Sequence, residues 1–307
     1  MKKGIAVIGS SNVDFIMKVA RLPRPGETVT GGTFMQAFGG KGANSAVAAS
    51  RAGGIVTLVT VLGDDLFAPK IVENIRADGI DSSRIFRDPG VSTGTALIMI
   101  DDEGRNCITV APGANHRLTP ERAALCGDLI AGSAIILMQM EIPPETAVAV
   151  LEIAAAHGTP VMFNYAPARG LEVPVSAAMT WLVVNELEAG MLAARDVRNA
   201  ADAEAAAREL LKRGPKYAVI TLGAEGAYVA TAGAGRLVPA FRVKPVDTTA
   251  AGDTFSGALS VATVEGKGLD EAARFASAAS AISVTRMGAQ PSCPRRAEID
   301  AFLAERK

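Results

Sequence analysis

Short runs of β-branched and other apolar residues alternate along the chain with Ala-rich stretches of helical length. The runs at 5–8, 57–62, 134–139, 161–164, 181–184 and 218–222 predict strands. The stretches at 42–52, 69–77, 120–130, 144–157, 186–193 and 202–213 predict helices. Continuous apolar strands alternating with helices are the pattern of βαβ units around a mostly parallel sheet covered on both faces. The C-terminal part, at 251–264 and 270–287, predicts further helix with no strong strand after it. Two regions break the rhythm, at about 15–38 and 93–112, where apolar and polar residues alternate around Pro25-Gly26 and around 102–104. These are antiparallel hairpin signals, and they predict a small β-sheet lid made of two insertions in one catalytic domain of 1–307.

Charge and composition narrow the function classes. Lys and Arg total 31 against 32 Asp and Glu, and no run of five like charges occurs, so nucleic acid is not an expected partner. The longest stretch free of charged residues is 153–168, which contains His157, Pro160, Asn164 and Pro167 and falls short of an apolar membrane span. The apolar run at the N-terminus stops at Ser10, with polar Asn12 and Asp14 following, and reads as a strand rather than a leader. Three widely spaced cysteines, Cys107, Cys126 and Cys293, form neither a disulfide framework nor a metal motif, so a reducing cytoplasm is the expected setting.

In open α/β sheets ligands bind beyond the carboxyl ends of the strands, and those ends carry polar residues here. Asn12 and Asp14 follow the first strand, Glu141 the third, Asn164 and Asn185 end the next two, and 221–226 follow the last. Any one of these serves as a cap or turn former; their recurrence at one sheet edge points to a site. The segment Phe38-Gly39-Gly40-Lys41-Gly42-Ala43-Asn44 runs into a helix. It is not a Walker A loop, which would need Gly at Met35 and Ser or Thr at Gly42, nor G-x-G-x-x-G, because Ser45 stands at the third glycine. Taken alone it serves equally as a tight strand-to-helix turn or as a sugar clamp.

The segment Asp247-Thr248-Thr249-Ala250-Ala251-Gly252-Asp253-Thr254-Phe255 opens a helix through small residues, and the free N–H groups of such an end favour an anion. Asp253 alone is an ordinary carboxylate in a first helical turn. Beside an anion-binding nest it is placed to take a proton from an alcohol while the N–H groups hold a phosphoryl group. His116 and His157 are unpaired, and no G-x-S-x-G or H-E-x-x-H motif is present.

Taken in order, Gly39-Gly40-Lys41-Gly42-Ala43-Asn44, Asn185-Glu186-Leu187-Glu188, Thr221-Leu222-Gly223 and 247–255 make the chain resemble the PfkB-type carbohydrate kinases over essentially its whole length. The resemblance implies the ribokinase-like fold, a three-layer α/β/α arrangement on a mostly parallel sheet with a small β-sheet lid. It also implies ATP-dependent phosphorylation of a sugar, in particular D-ribose at its 5-hydroxyl to give ribose 5-phosphate. By the same resemblance Asp253 is the general base, with Ala250, Ala251 and Gly252 lending N–H groups as the anion hole. Asn12, Val13, Asp14, Gly40, Lys41, Gly42, Ala43, Asn44 and Glu141 would hold the sugar. Asn185, Thr221, Leu222, Gly223, Ala224, Glu225, Gly226, Gly252 and Ser277 would surround ATP, and Glu188 would act indirectly on Mg²⁺. Asp247, Thr249, Ser283, Arg286, Gly288 and Ser292 would form a loop for an activating K⁺, although the residues alone suit a capped turn. The lid would join two copies in a homodimer. Kinases of this family acting on deoxyribose, a ketohexose, a nucleoside or a sugar acid are the alternative, and a non-catalytic sugar sensor is a more distant one.

Overall fold

A computed structural model describes residues 4–168 and 172–306. The first part contains β1 (Gly4–Ile8), β2 (Asn12–Lys18), β3 (Thr33–Gly39), α1 (Lys41–Arg51), β4 (Ile55–Gly63), α2 (Ala68–Ala77), β5 (Ile85–Asp88), β6 (Gly94–Ile100) and β7 (Asn106–Ala111). The middle adds α3 (Pro120–Ala124), α4 (Gly127–Gly132), β8 (Ile135–Met138), α5 (Pro144–Ala156), β9 (Val161–Asn164), β10 (Trp181–Asn185) and α6 (Glu186–Ala193). The last part holds α7 (Ala200–Leu211), β11 (Tyr217–Thr221), β12 (Gly226–Ala230), β13 (Gly235–Pro239), α8 (Ala251–Val264), α9 (Leu269–Ser283) and α10 (Arg296–Ala304).

Nine strands form one sheet in the order β13-β12-β11-β10-β9-β8-β1-β4-β5. From β11 to β5 every pair is parallel, and β12 and β13 add an antiparallel edge. The apolar strands bury both faces. Ile5, Val7, Leu58 and Leu137 join α1, α2, α8 and α9 in one layer, while Ala6, Ile8, Val59 and Met138 join α5, α6 and α7 in the other. This is the expected three-layer arrangement.

A separate four-stranded sheet has the order β3-β2-β6-β7. Its two antiparallel hairpins are joined by parallel pairing of β2 with β6, Asn12 opposite Gly94. The β6–β7 turn is tied by Asp101, whose Oδ1 accepts from the N–H groups of Glu103 and Arg105, with Gly104 in the left-handed region at φ 78°. The β2–β3 connection is longer than the Pro25-Gly26 signal suggests and runs over 19–32.

The structure corrects several boundaries. The single helix expected over 120–130 is two short ones, because the Cys126 N–H bonds back three residues to the Ala123 carbonyl and bends the path before Gly127. The helix expected to reach 287 ends at Ser283. The Val284 carbonyl there accepts the N–H groups of Val246 and Asp247 instead of continuing the helix. The strands β5, β12 and β13 and the helix α10 were not expected. No helix among the described residues is long and apolar enough to cross a membrane.

Candidate active site

The polar ends of β1, β8, β9, β10 and β11 lie at one edge of the sheet, and the β3–α1 turn reaches over them. Gly40 has φ 87°, and a Cβ there would lie 2.8 Å from Ser11 Cα, so the turn lies directly on the chain leaving β1. No side chain of its own segment caps α1. Glu141 supplies the cap: its Oε2 accepts from the Lys41 N–H at 2.9 Å and from the Ser10 hydroxyl at 2.6 Å. Ser10 in turn accepts from the Gly42 N–H at its Oγ and from the Ala43 N–H at its carbonyl. Glu141 therefore holds the loop, with one oxygen already committed. Val13 and Ala43 are fully buried in the apolar layer; their side chains pack there instead of facing a ligand.

Asp14 stands on β2 against Gly39, where a Cβ would meet its Oδ2 at 2.0 Å. Burial first, and the neighbouring Glu141 charge second, push its carboxyl up to about 7. Asn44 donates from Nδ2 to Asp253 Oδ2 at 3.0 Å, and its Oδ1 is buried without a partner, an acceptor left for a ligand hydroxyl. Asp253 is 3% exposed. Burial raises its carboxyl above the usual range against the opposing pull of Lys41 and Asn44. Lys41 is raised chiefly by the charge of Asp253, with Glu141 and Glu188 adding to it.

Asp253 lies in the first turn of α8, which begins after Ala250 in a left-handed conformation at φ 58°. The N–H groups of Ala250, Gly252 and Asp253 have no acceptor among the described residues, so they are open to an anion. Ala251 departs from the expected anion hole, because its N–H closes a turn onto the Thr248 carbonyl. A cavity of about 190 Å³ lies against this end, lined by Lys41, Asn164, Ala166, Val183, Val184, Asn185, Glu188, Thr221, Thr248 and Ala250–Asp253. Asn185 and Glu188 form a capping box at the start of α6, each side chain accepting the other's backbone N–H at 2.8 and 2.9 Å. Burial raises the Glu188 carboxyl.

The remaining expected residues lie around this centre. Leu222 to Gly226 form a tight turn closed by the Leu222 N–H on the Gly226 carbonyl, outside the cavity lining. Ser277 is buried on α9 and does not line the cavity either. Asp247 joins two loops: Oδ1 accepts from the Thr249 N–H at 2.9 Å and Oδ2 from the Gly288 N–H at 2.8 Å. Burial works against this carboxylate, yet these bonds hold it below its ordinary range. The carbonyls of Asp247, Thr249, Arg286 and Gly288 accept no hydrogen bond among the described residues. The Ser283 carbonyl is taken by the Arg286 N–H, the Arg286 side chain pairs with Glu298, and Ser292 bonds to the Ala289 carbonyl. Ser10, Asn115 and Thr248 were not singled out in the sequence. Ser10 was detectable as a polar residue at a strand end, whereas Asn115 carries no local signal.

Comparison with known proteins matches this arrangement to one family. The model of the pfkB family carbohydrate kinases matches residues 2–296. A ribokinase of Haemophilus influenzae is 39% identical over 303 residues, covering 99% of each chain. A deoxyribokinase of Salmonella typhimurium is 35% identical over 301 residues, covering 98% of each. The structure of an Arabidopsis thaliana ribokinase complexed with ribose and ATP superimposes with a TM-score of 0.92 at 30% identity over 99% of both chains. With its fold, its helix-start carboxylate and its matching relatives in agreement, the chain belongs to the pfkB family and is a carbohydrate kinase.

Proposed function

We propose that the chain transfers the γ-phosphoryl group of ATP to the 5-hydroxyl of D-ribose, giving ribose 5-phosphate and ADP. The observation that carries this reading is the buried Asp253 carboxylate, held by Asn44, beside the open N–H groups at the start of α8. Asp253 takes the hydroxyl proton as the new O–P bond forms and the bond to ADP breaks. The N–H groups of Gly252 and Asp253 face the charge on the transferred group, a preorganised stabilisation in a site shielded from water. Asp14 and the free Oδ1 of Asn44 accept from sugar hydroxyls, Lys41 adds positive charge near the reacting groups, and Asn185 and Thr221 lie on the nucleotide side of the cavity.

Ribose is favoured by the ribokinase relatives, and the deoxyribokinase relative supports deoxyribose as the second reading. Phosphorylation assays with ATP over ribose, 2-deoxyribose, fructose and a nucleoside test the choice. Ribose is expected to give the highest kcat/KM. A preference for deoxyribose would move the assignment to the second reading, and no turnover of any sugar would overturn both.

Two ions belong to the proposal. Among the described residues no cluster of three or more His, Cys, Asp or Glu forms a metal cage, which fits an Mg²⁺ carried mainly by the ATP phosphates with Glu188 acting indirectly. Mg²⁺ would supply charge neutralisation on those phosphates. The unengaged carbonyls of Asp247, Thr249, Arg286 and Gly288 lie on two loops tied together by Asp247, and as oxygen donors they suit a large monovalent cation such as K⁺. That ion would steady the loop leading into α8. Activity is expected to rise severalfold when K⁺ replaces Na⁺ or Li⁺ at constant ionic strength, and Asp247→Ala to abolish the response. Equal rates in the three salts would remove K⁺ and leave the kinase reading intact.

On this reading 1–307 is one catalytic domain in a cytoplasmic setting, and two copies form a homodimer joined through the small sheet, where Phe34 and Leu97 stand on one face and are each more than half exposed.

A further inference from the structure

Three crossings of the chain between the small sheet and the large one meet at a single side-chain amide. Asn115, which follows β7, is 3% exposed. Its Oδ1 accepts from the Ser11 N–H at 2.9 Å, and its Nδ2 donates to Asn12 Oδ1 at 2.7 Å. Gly94, the first residue of β6, is paired with Asn12. A Cβ at Gly94 would lie 2.2 Å from Asn115 Nδ2 and 2.3 Å from Asn12 Oδ1, so this glycine makes room for the two amides to meet. A side-chain amide carries an acceptor at one end and donors at the other. The Ser11 N–H can only donate, which fixes the Asn115 oxygen toward it. The Asn115 nitrogen then fixes the Asn12 oxygen toward Asn115. Asn12 is left with its Nδ2 donor, which has no acceptor among the described residues. Asn12 and Asp14 stand two apart on β2 and share a face, so one offers a donor where the other offers acceptors.

We propose that Asn115 is a positioning residue that sets the hydrogen-bond polarity of Asn12, and through it the sugar specificity of the site, by relaying the direction of a backbone N–H. This rests on the sugar-kinase reading above. In Asn115→Asp one oxygen keeps the Ser11 bond, but the other cannot donate. The Asn12 amide must then turn its nitrogen toward residue 115 and present oxygen to the sugar. The KM for ribose is expected to rise about tenfold or more, with the KM for ATP changing less than about twofold. In an Asn12→Ala background the same exchange is expected to add less than about twofold, because the end of the relay is gone. Should Asn115→Asp fail to fold, as judged by thermal melting, Asn115→Ala runs the same cycle. An unchanged ribose KM, an equal rise in both KM values, or a full effect persisting without Asn12 would overturn the relay. Wild-type enzyme that fails to phosphorylate ribose would instead overturn the ribose reading, which keeps the two failures distinct.

Discussion

Replacing Asp253 with Asn is expected to lower kcat by about 10²- to 10⁴-fold, the range for loss of a general base, with little change in the KM for ATP. The substitution keeps the shape and an acceptor for the Asn44 bond but removes the charge proposed to take the proton. Burial holds the wild-type carboxyl above its ordinary range, which brings its basicity closer to that of an alcohol hydroxyl. The same burial makes the ionised form costly to the fold. A carboxyl whose folded pKa exceeds its unfolded one binds protons more tightly when folded, so its contribution to stability is present at acid pH and is lost as pH rises through the folded pKa. Asp253→Asn is therefore expected to melt at or above the wild-type temperature at neutral pH while losing activity. Steady-state kinetics and thermal melting together check this. A variant retaining a tenth of the wild-type kcat would remove Asp253 from proton transfer.

Ribose binding is expected to tighten as pH rises through about 7, the value to which burial and the Glu141 charge push Asp14. Below it the carboxyl is protonated and has one fewer acceptor for sugar hydroxyls; above it both oxygens accept. Affinity should fall by up to about tenfold per pH unit on the acid side, since one proton is exchanged, and level off on the alkaline side. Asp14→Asn should abolish this dependence and weaken binding by roughly 1–3 kcal/mol, the cost of leaving buried hydroxyls unpaired. Calorimetric titration of ribose in buffers of different ionisation enthalpy checks both points, because wild-type binding near pH 6.5 must release a proton. Affinity that is flat from pH 6 to 8 would show that Asp14 is already ionised in the free enzyme.

The parallel strands were legible because burial on both faces demands continuous apolar runs such as those around Val7 and Val183. The β12–β13 hairpin was not, since Gly226, Ala227, Ala230 and Gly235 carry little strand preference and its register comes from packing on β11. The 247–255 segment was readable because small residues before Asp253 open a helix end, a local property. Other features depended on distant partners. The capping of α1 by Glu141 follows from its contact with the Lys41 N–H, 100 residues away. The Ala251 N–H was misassigned because a turn onto Thr248 depends on backbone angles that Ala-rich sequence leaves open.

The parallel pairing of β2 with β6 constrains how this kinase can change over generations. Strand side chains alternate between faces, so a one-residue insertion within β2 would turn Asp14 to the opposite side of the small sheet. It would also break the meeting of Asn12 with Gly94. The 19–32 connection bears no such register, and lengthening a loop costs only slowly growing closure entropy. Insertions and deletions should therefore accumulate in that connection and be purged from the strand beside it, leaving length variation as a record of which segments carry register.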